Sequence, residues 1–331
     1  MSDTLERAWR DDAPLLSALL SPAELLFRLG QHAYHSLYDR GLLPQTRPSL
    51  PTISIGNLAV GGAGKTPFAR WLVDQLLARG ERPALLHGGY AADEPALHER
   101  WHPSVPVYAG RDRVRSASLA AERGASVLVL DDGFQHRRLL RDLDIVLVAA
   151  ERWRSKPHLL PRGPWREPPS ALGRAQVVGV TRKVASEGKA EAVAGELARL
   201  APHALVVRIA LLPAGWRPWR RGAPGAEAAA SPAGVAVCAL ADPELFLENA
   251  RATGARFQQA LVFRDHHEYA PGDIARLRAA RGEGVVLTTE KDAVKLSAAA
   301  PDLPLCVLEQ GAQVEAGAGE LRARLRDVLV R

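Results

Sequence analysis

A glycine-rich run, Gly61-Gly62-Ala63-Gly64-Lys65-Thr66, follows a short β-rich stretch, PTISIGNL (51–58), and opens a helical one, PFARWLVDQLLARG (67–80). Glycines let backbone N–H groups turn inward around phosphate oxygens, and the N-terminus of the next helix adds its positive dipole end. In such a loop the lysine reaches the β- and γ-phosphates of a nucleotide and the adjoining hydroxyl ligates Mg²⁺. Those roles fall to Lys65 and Thr66. The strict pattern asks for glycine five residues before Gly64, where Ala59 stands; the strand-to-helix context carries the reading.

Three further groups could do chemistry. Asp131-Asp132 ends the apolar run SVLVL (126–130). A carboxylate there sits at the C-terminal edge of a parallel sheet, beside the phosphate loop, where it can hold Mg²⁺ directly or through water. Asp93-Glu94 follows PALLHGGYAA (83–92), and Asp265-His266-His267 follows QALVF (259–263). Transfer of a phosphoryl group to a hydroxyl benefits from a base near the attacking oxygen, which an Asp–His pair can supply. Read alone, each of these last two groups is a weak signal, and a histidine at a strand end is more often structural.

The elements that must position them alternate. PTISIGNL, PALLHGGY, SVLVLDDG, DIVLVAA, AQVVGVT and ALVVRIAL are β-rich, with helical stretches between, and the alternation resumes in GVAVCAL, QALVFRD, GVVLTTE and LPLCVLE. This predicts an α/β protein with a P-loop NTPase-like, mostly parallel sheet and flanking helices, plus a second, smaller α/β domain. Residues 15–43 predict a helix, opened by a capping-box pattern at Ser21-Pro22-Ala23-Glu24. Leu25, Leu29, Ala33 and Leu37 form its apolar stripe, with Arg28 and Arg40 beside it. It suits either packing on its own domain or lying in a membrane interface. The expected organisation is an N-terminal amphipathic segment (1–50), a nucleotide-binding domain (51–212), a Pro/Gly/Ala-rich linker or exposed loop (213–234) and a C-terminal α/β domain (235–331).

The chain has 331 residues, enough for two domains at roughly 150 residues each. A formal net charge of +6 permits an anionic partner, but arginine is spread rather than blocked, which argues against nucleic acid. Cys238 and Cys306 each lie in an apolar run, as buried thiols rather than a disulfide or metal set, in keeping with a reducing cytoplasmic setting. No 18-residue apolar run predicts a membrane-spanning helix, and the acid-containing start MSDTLERAWRDDAP does not read as a signal peptide.

Taken together, IGNLAVGGAGKTP, GRDR (110–113), DDGFQH (131–136), LLPRGPWREP (159–168), FRDHH (263–267) and TEKDAVK (289–295) resemble, in the same order, the tetraacyldisaccharide 4′-kinases of lipid A biosynthesis. The resemblance covers about residues 15–330. It implies transfer of the ATP γ-phosphate to the 4′-hydroxyl of a tetraacyldisaccharide 1-phosphate, with Mg²⁺, by a peripheral protein on the cytoplasmic face of the bacterial inner membrane. It implies that Asp93 pairs with His266 in catalysis and that Glu94 lies near the metal. Asp131 and Asp132 match the Mg²⁺-binding acids, and Arg166 a phosphate-facing arginine. Tyr90, Arg113, Gln135 and His136 match positions near the acceptor sugar.

The chain departs from the family pattern twice. His87-Gly88-Gly89-Tyr90 stands where Ser-Arg-Gly-Tyr is usual, so an active-site arginine is absent, and only Ala91 and Ala92 separate Tyr90 from Asp93. A scaffold descended from the kinase is one alternative. Another is a membrane-associated P-loop ATPase switch, but such proteins carry a signature lysine where this chain has Val60. A GTP switch would need Asn/Thr-Lys-x-Asp, and Thr289-Glu290-Lys291-Asp292 has its lysine one place late.

Overall fold

Strands covered on both faces read as unbroken apolar runs, and the apolar runs of this chain fold as such strands. The computed structural model describes residues 9, 14–89, 93–220, 231–240, 242–265 and 267–330. The first elements are α1 (Pro14–Leu19), α2 (Ser21–Asp39), β1 (Thr52–Asn57), α3 (Lys65–Leu77), β2 (Pro83–His87) and α4 (Asp93–Trp101). Next come β3 (Val107–Ala109), α5 (Arg113–Glu122), β4 (Val127–Asp131), β5 (Leu143–Ala149), β6 (Val177–Arg182), α6 (Glu187–Leu200) and β7 (Leu205–Pro218). The chain ends with β8 (Ala233–Cys238), α7 (Pro243–Ala252), β9 (Arg256–Val262), α8 (Pro271–Arg281), β10 (Val285–Thr289), α9 (Glu290–Ala299), β11 (Leu305–Ala316) and α10 (Ala318–Leu329).

These elements form two units, neither a single stretch of chain. The first is Met1–Tyr90, Ser104–Leu211 and Ala312–Arg331; the second is Ala91–Pro103 with Leu212–Gly311. α4 thus belongs to the second unit and α10 to the first.

In the first unit the strand order is β3-β2-β4-β1-β5-β6-β7, and every neighbouring pair is parallel. Chain order reverses around β1, the place where a doubly wound sheet opens a ligand crevice. Ile55 of β1 is in register with Asp131 of β4 and Ile145 of β5, so the loop leaving β1 emerges beside the aspartate pair. On one sheet face Ile53 and Ile55 pack with Phe68, Leu72 and Leu76 of α3 and Leu321 and Leu325 of α10. On the other, Val146 and Val178 pack with Val193 and Leu197 of α6. Each fully buried aliphatic or Phe side chain contributes about 1.5–3 kcal/mol, so apolar contact alone fixes the helix that follows the glycine loop.

The second unit has strands in the order β11-β10-β8-β9, again parallel. Val237, Val286, Leu277 and Leu296 centre its core, with Leu97 of α4 in the same cluster. Cys238 and Cys306 are buried free thiols, as expected. The Pro/Gly-rich segment 213–234 begins as strand rather than loop. β7 runs through Pro218, and Trp216 and Trp219 are buried.

α2 is inverted relative to an ordinary surface helix. Its inward face carries Glu24, Gln31 and His35 along with Phe27 and Tyr38, while Leu25, Leu26 and Leu29 are 57%, 71% and 56% exposed. The capping box expected at Ser21–Glu24 does not form. α1 ends one residue before α2, so the preceding Leu20 is already helical and no side chain caps it. Glu24 turns inward instead. It accepts the Leu159 N–H at 2.9 Å and pairs with Arg28 at 3.2 Å and Arg162 at 3.4 Å.

Candidate active site

The loop between β1 and α3 is held from three sides. Asn57 Nδ2 donates to the carbonyls of Ala59 (2.6 Å) and Gly61 (3.2 Å). Thr181, at the end of β6, donates its hydroxyl to the Ala63 carbonyl at 3.0 Å in a buried contact. Val60 N–H donates to Pro164 O at 2.7 Å, and Arg166 N–H to Leu58 O at 2.7 Å, laying the 164–167 segment along the loop. Gly64 has φ +82°, and a Cβ there would stand 2.3 Å from Leu211 Cδ1. Only glycine satisfies both demands. The loop that results delivers Lys65 and Thr66 as the first residues of α3.

Asp132 is the electrostatic focus. Its carboxylate receives Arg166 NH1 at 3.1 and 3.0 Å, and Lys65 Nζ lies 3.5 Å away. Burial acts to raise its pKa, but the Lys65 and Arg166 charges outweigh burial and hold it below the ordinary carboxylate value. Its φ is +54°, a region that a non-glycine residue occupies at some cost. The buried Arg113 guanidinium braces that backbone, donating to Asp131 O at 3.0 Å and Asp132 O at 2.9 Å. Asp131, the last residue of β4, is wholly buried.

The neighbouring predicted residues are also placed. Gln135 Nε2 donates to Asn57 O at 3.0 Å and to Glu167 Oε1 at 2.9 Å. Arg113 and Gln135, expected near an acceptor sugar, are thus engaged here in bracing the Asp pair and the β1 exit. Burial and the charges of Arg113, Arg141 and Arg138 push the His136 pKa down to about 4, so its imidazole is neutral at neutral pH. Glu167 is fully buried and shared among Gln135, Arg174 (2.7 Å) and His35 of α2 (3.1 Å). Burial acts to raise its pKa; the His35 and Arg174 contacts outweigh it and keep the carboxylate ionised.

In the second unit Asp93 and Glu94 open α4, with Asp93 buried and Glu94 paired to Lys291 Nζ at 2.8 Å. Thr289-Glu290-Lys291-Asp292, weighed as a guanine-reading element, is a structural knot. Thr289 caps α9, Glu290 accepts Trp101 Nε1 at 2.7 Å, and Asp292 accepts Tyr269 OH at 3.1 Å and Ala239 N–H at 3.1 Å. His267 Nε2 lies 2.8 Å from Asp273 Oδ2, and its ring stacks on Phe263 at 4.7 Å. Tyr90 and His266 lie outside the described residues.

Sequence reasoning missed Thr181, Asn57 and Glu167 as parts of this site. Glu167 carried a signal, a carboxylate next to Arg166 inside LLPRGPWREP. Thr181 carried none beyond a hydroxyl at a strand end.

Comparison with known proteins agrees with this arrangement. The family model of the tetraacyldisaccharide-1-P 4′-kinases, LpxK, matches residues 16–93 and 91–330. A tetraacyldisaccharide 4′-kinase of Anaeromyxobacter dehalogenans (strain 2CP-C) is 40% identical, over 97% of this chain and 94% of its own length. One from Syntrophus aciditrophicus (strain SB) is 35% identical over 91% of this chain and 92% of its own. The crystal structure of LpxK from Aquifex aeolicus in complex with ATP superposes with a TM-score of 0.76 at 25% identity, covering 95% of this chain and 99% of that one. A phosphate loop backed by a paired aspartate, in a fold and sequence matched over nearly their whole length, places this chain in the tetraacyldisaccharide-1-P 4′-kinase family.

Proposed function

We propose that this chain transfers the γ-phosphoryl group of ATP to the 4′-hydroxyl of a tetraacyldisaccharide 1-phosphate, giving the bis-phosphorylated lipid A precursor. The observation that carries the reading is the convergence of Lys65 and Arg166 on Asp132 at the mouth of the phosphate loop, in a member of this family. Phosphoryl transfer asks the protein mainly for position and charge. The loop amides and the α3 N-terminus hold the phosphates, while Lys65 and Arg166 face the charge that develops on the transferred group. Arg113 keeps the Asp131–Asp132 backbone in place. The roles of Asp93 and His266 as the acceptor-activating pair, of Glu94 near the metal, and of Tyr90 and His136 at the sugar rest on the family resemblance. Purified protein given ATP and the acceptor should add one phosphate to the lipid.

The donors beside the loop fit a magnesium ion. Thr66 offers a hydroxyl, and Asp131 and Asp132 offer carboxylates, all hard oxygen ligands of the kind Mg²⁺ selects. When bound, Mg²⁺ would neutralise charge on the β- and γ-phosphates. Thr66→Ala, Asp131→Asn and Asp132→Asn are each expected to shift the Mg²⁺ dependence of activity to higher concentration. Three unchanged Mg²⁺ titrations would place the metal elsewhere.

The acceptor is a lipid, and α2 supplies the surface to meet one. Among the described residues no helix is long and apolar enough to cross a membrane. α2 instead leaves Leu25, Leu26 and Leu29 exposed with Arg28 among them, and turns Glu24, Gln31 and His35 inward, an arrangement suited to a helix that lies in a bilayer interface. ATP is a cytoplasmic co-substrate, so the proposed surface is the cytoplasmic leaflet of the inner membrane. Leu25→Glu with Leu29→Glu is expected to reduce sedimentation with anionic liposomes while leaving ATP affinity and the melting temperature near wild type, because both leucines are exposed. A double mutant that melts early yet binds liposomes like wild type would show that the helix serves packing instead.

A further inference from the structure

One cation at the phosphate loop has no place in the account so far. Arg152 follows β5, and its side chain lies on the backbone of Gly61. A Cβ at Gly61 would stand 2.8 Å from Arg152 NH1. Gly61 also has φ +94°, so glycine serves the turn there, and the guanidinium end of Arg152 lies beside it. The Arg152 backbone is fixed by both neighbours. On one side Glu151 accepts the N–H groups of Lys183, Val184 (2.9 Å) and Ala185 (3.2 Å). On the other, Trp153 donates Nε1 to Glu196 Oε2 at 2.8 Å and packs edge-on against Trp165. Arg152 itself turns back on Ala149 O through its N–H at 3.0 Å.

The side chains around it differ in commitment. Lys65 and Arg166 are paired with Asp132, and Arg113 holds two carbonyls. Among the described residues no carboxylate lies in salt-bridge range of Arg152, which is exposed. A guanidinium carried on a fixed backbone beside amides that would cradle phosphate is suited to a phosphate group, which it can grip with paired, charge-assisted hydrogen bonds.

We propose that Arg152 is a further substrate-contacting residue that binds the terminal phosphates of the nucleotide from the β5 side of the loop. The inference rests on the kinase reading for the identity of the nucleotide. Gly61 belongs to the loop whose amides would hold those phosphates, which favours the nucleotide over the phosphate that the acceptor carries.

The test compares wild type, Arg152→Ala and Arg152→Lys by direct titration with ATP and with ADP in Mg²⁺ buffer, alongside steady-state kinetics. Arg152→Ala is expected to weaken ATP binding roughly 10- to 100-fold, the range for losing a hydrogen bond to a charged group. ADP should lose less, and Arg152→Lys should recover part of the loss. The melting temperature without nucleotide should not move, because the side chain is exposed. ATP binding by Arg152→Ala within about twofold of wild type would overturn the proposal. If only the KM for the acceptor rose, the guanidinium would belong to the acceptor's phosphate, and the nucleotide assignment would likewise fall. Wild-type protein that binds ATP without phosphorylating the lipid would count against the kinase reading, yet this binding comparison would still decide the role of Arg152.

Discussion

Lys65→Ala is expected to lower turnover by on the order of 10²-fold or more, as for removal of one preorganised group aimed at developing charge, with little change in melting temperature. Lys65 begins α3, but the helix is fixed by Phe68, Leu72 and Leu76, none of which the substitution touches. The ammonium instead faces the Asp132 carboxylate at 3.5 Å, in the mouth of the loop. Its removal leaves Asp132 with Arg166, whose NH1 donates to both carboxylate oxygens, so the carboxylate remains compensated. The loss should therefore fall on catalysis rather than stability. Steady-state kinetics beside a melting curve separates the two. Wild-type turnover would remove the phosphate loop from the mechanism, and an early melt would show a structural lysine.

His266→Ala should cost about 10²- to 10⁴-fold in turnover, the span for loss of a general base, and His267→Ala much less. His267 is bound to Asp273 at 2.8 Å, stacked on Phe263 and edge-on to Tyr269. That set of contacts makes it part of the second unit's packing, so its replacement should lower the melting temperature more than the rate. The proposed pairing of Asp93 with His266 predicts that Asp93→Ala is nonadditive with His266→Ala in a double-mutant cycle. Additive single effects would separate the two residues. A larger rate loss at His267 would reverse the assignment.

The parts of this protein legible in its sequence are those set by local chemistry. The central strands, such as β1, β2 and β4, could be read because their residues are all buried and form short β-rich runs. The phosphate loop could be read because wrapping backbone amides around an anion requires glycine. β3 escaped notice because Val107–Ala109 is three residues long and not buried. The cap at Ser21 was misplaced because α1 runs almost directly into α2, which no single-window pattern shows. The polar inner face of α2 was equally hidden. Glu24, read as part of a capping box, instead meets Leu159 and Arg162, and His35 meets Glu167. The same holds for Thr181, which reaches Ala63 from 118 residues away, and for Arg152, whose side chain comes to lie beside Gly61. The family resemblance supplied the names of Arg113 and Gln135, but not their engagement with backbone carbonyls.

At Gly88 the chain departs from the family pattern, which has arginine there. The chain carries no side chain there, and the adjacent His87 is buried at the end of β2, where its Nδ1 accepts the Gly89 N–H at 3.1 Å. Lys65 and Arg166 remain at the loop mouth, paired with Asp132.

The most direct test follows the label from γ-labelled ATP when purified protein is incubated with Mg²⁺ and tetraacyldisaccharide 1-phosphate in mixed micelles. The account predicts that label moves to the lipid, that it is found on the 4′-oxygen, and that Lys65→Ala abolishes the transfer. Release of the label solely as inorganic phosphate, with the lipid unmodified, would mark an ATP-hydrolysing switch and contradict the account; so would intact ATP with a fully folded wild-type protein, the result expected of a scaffold.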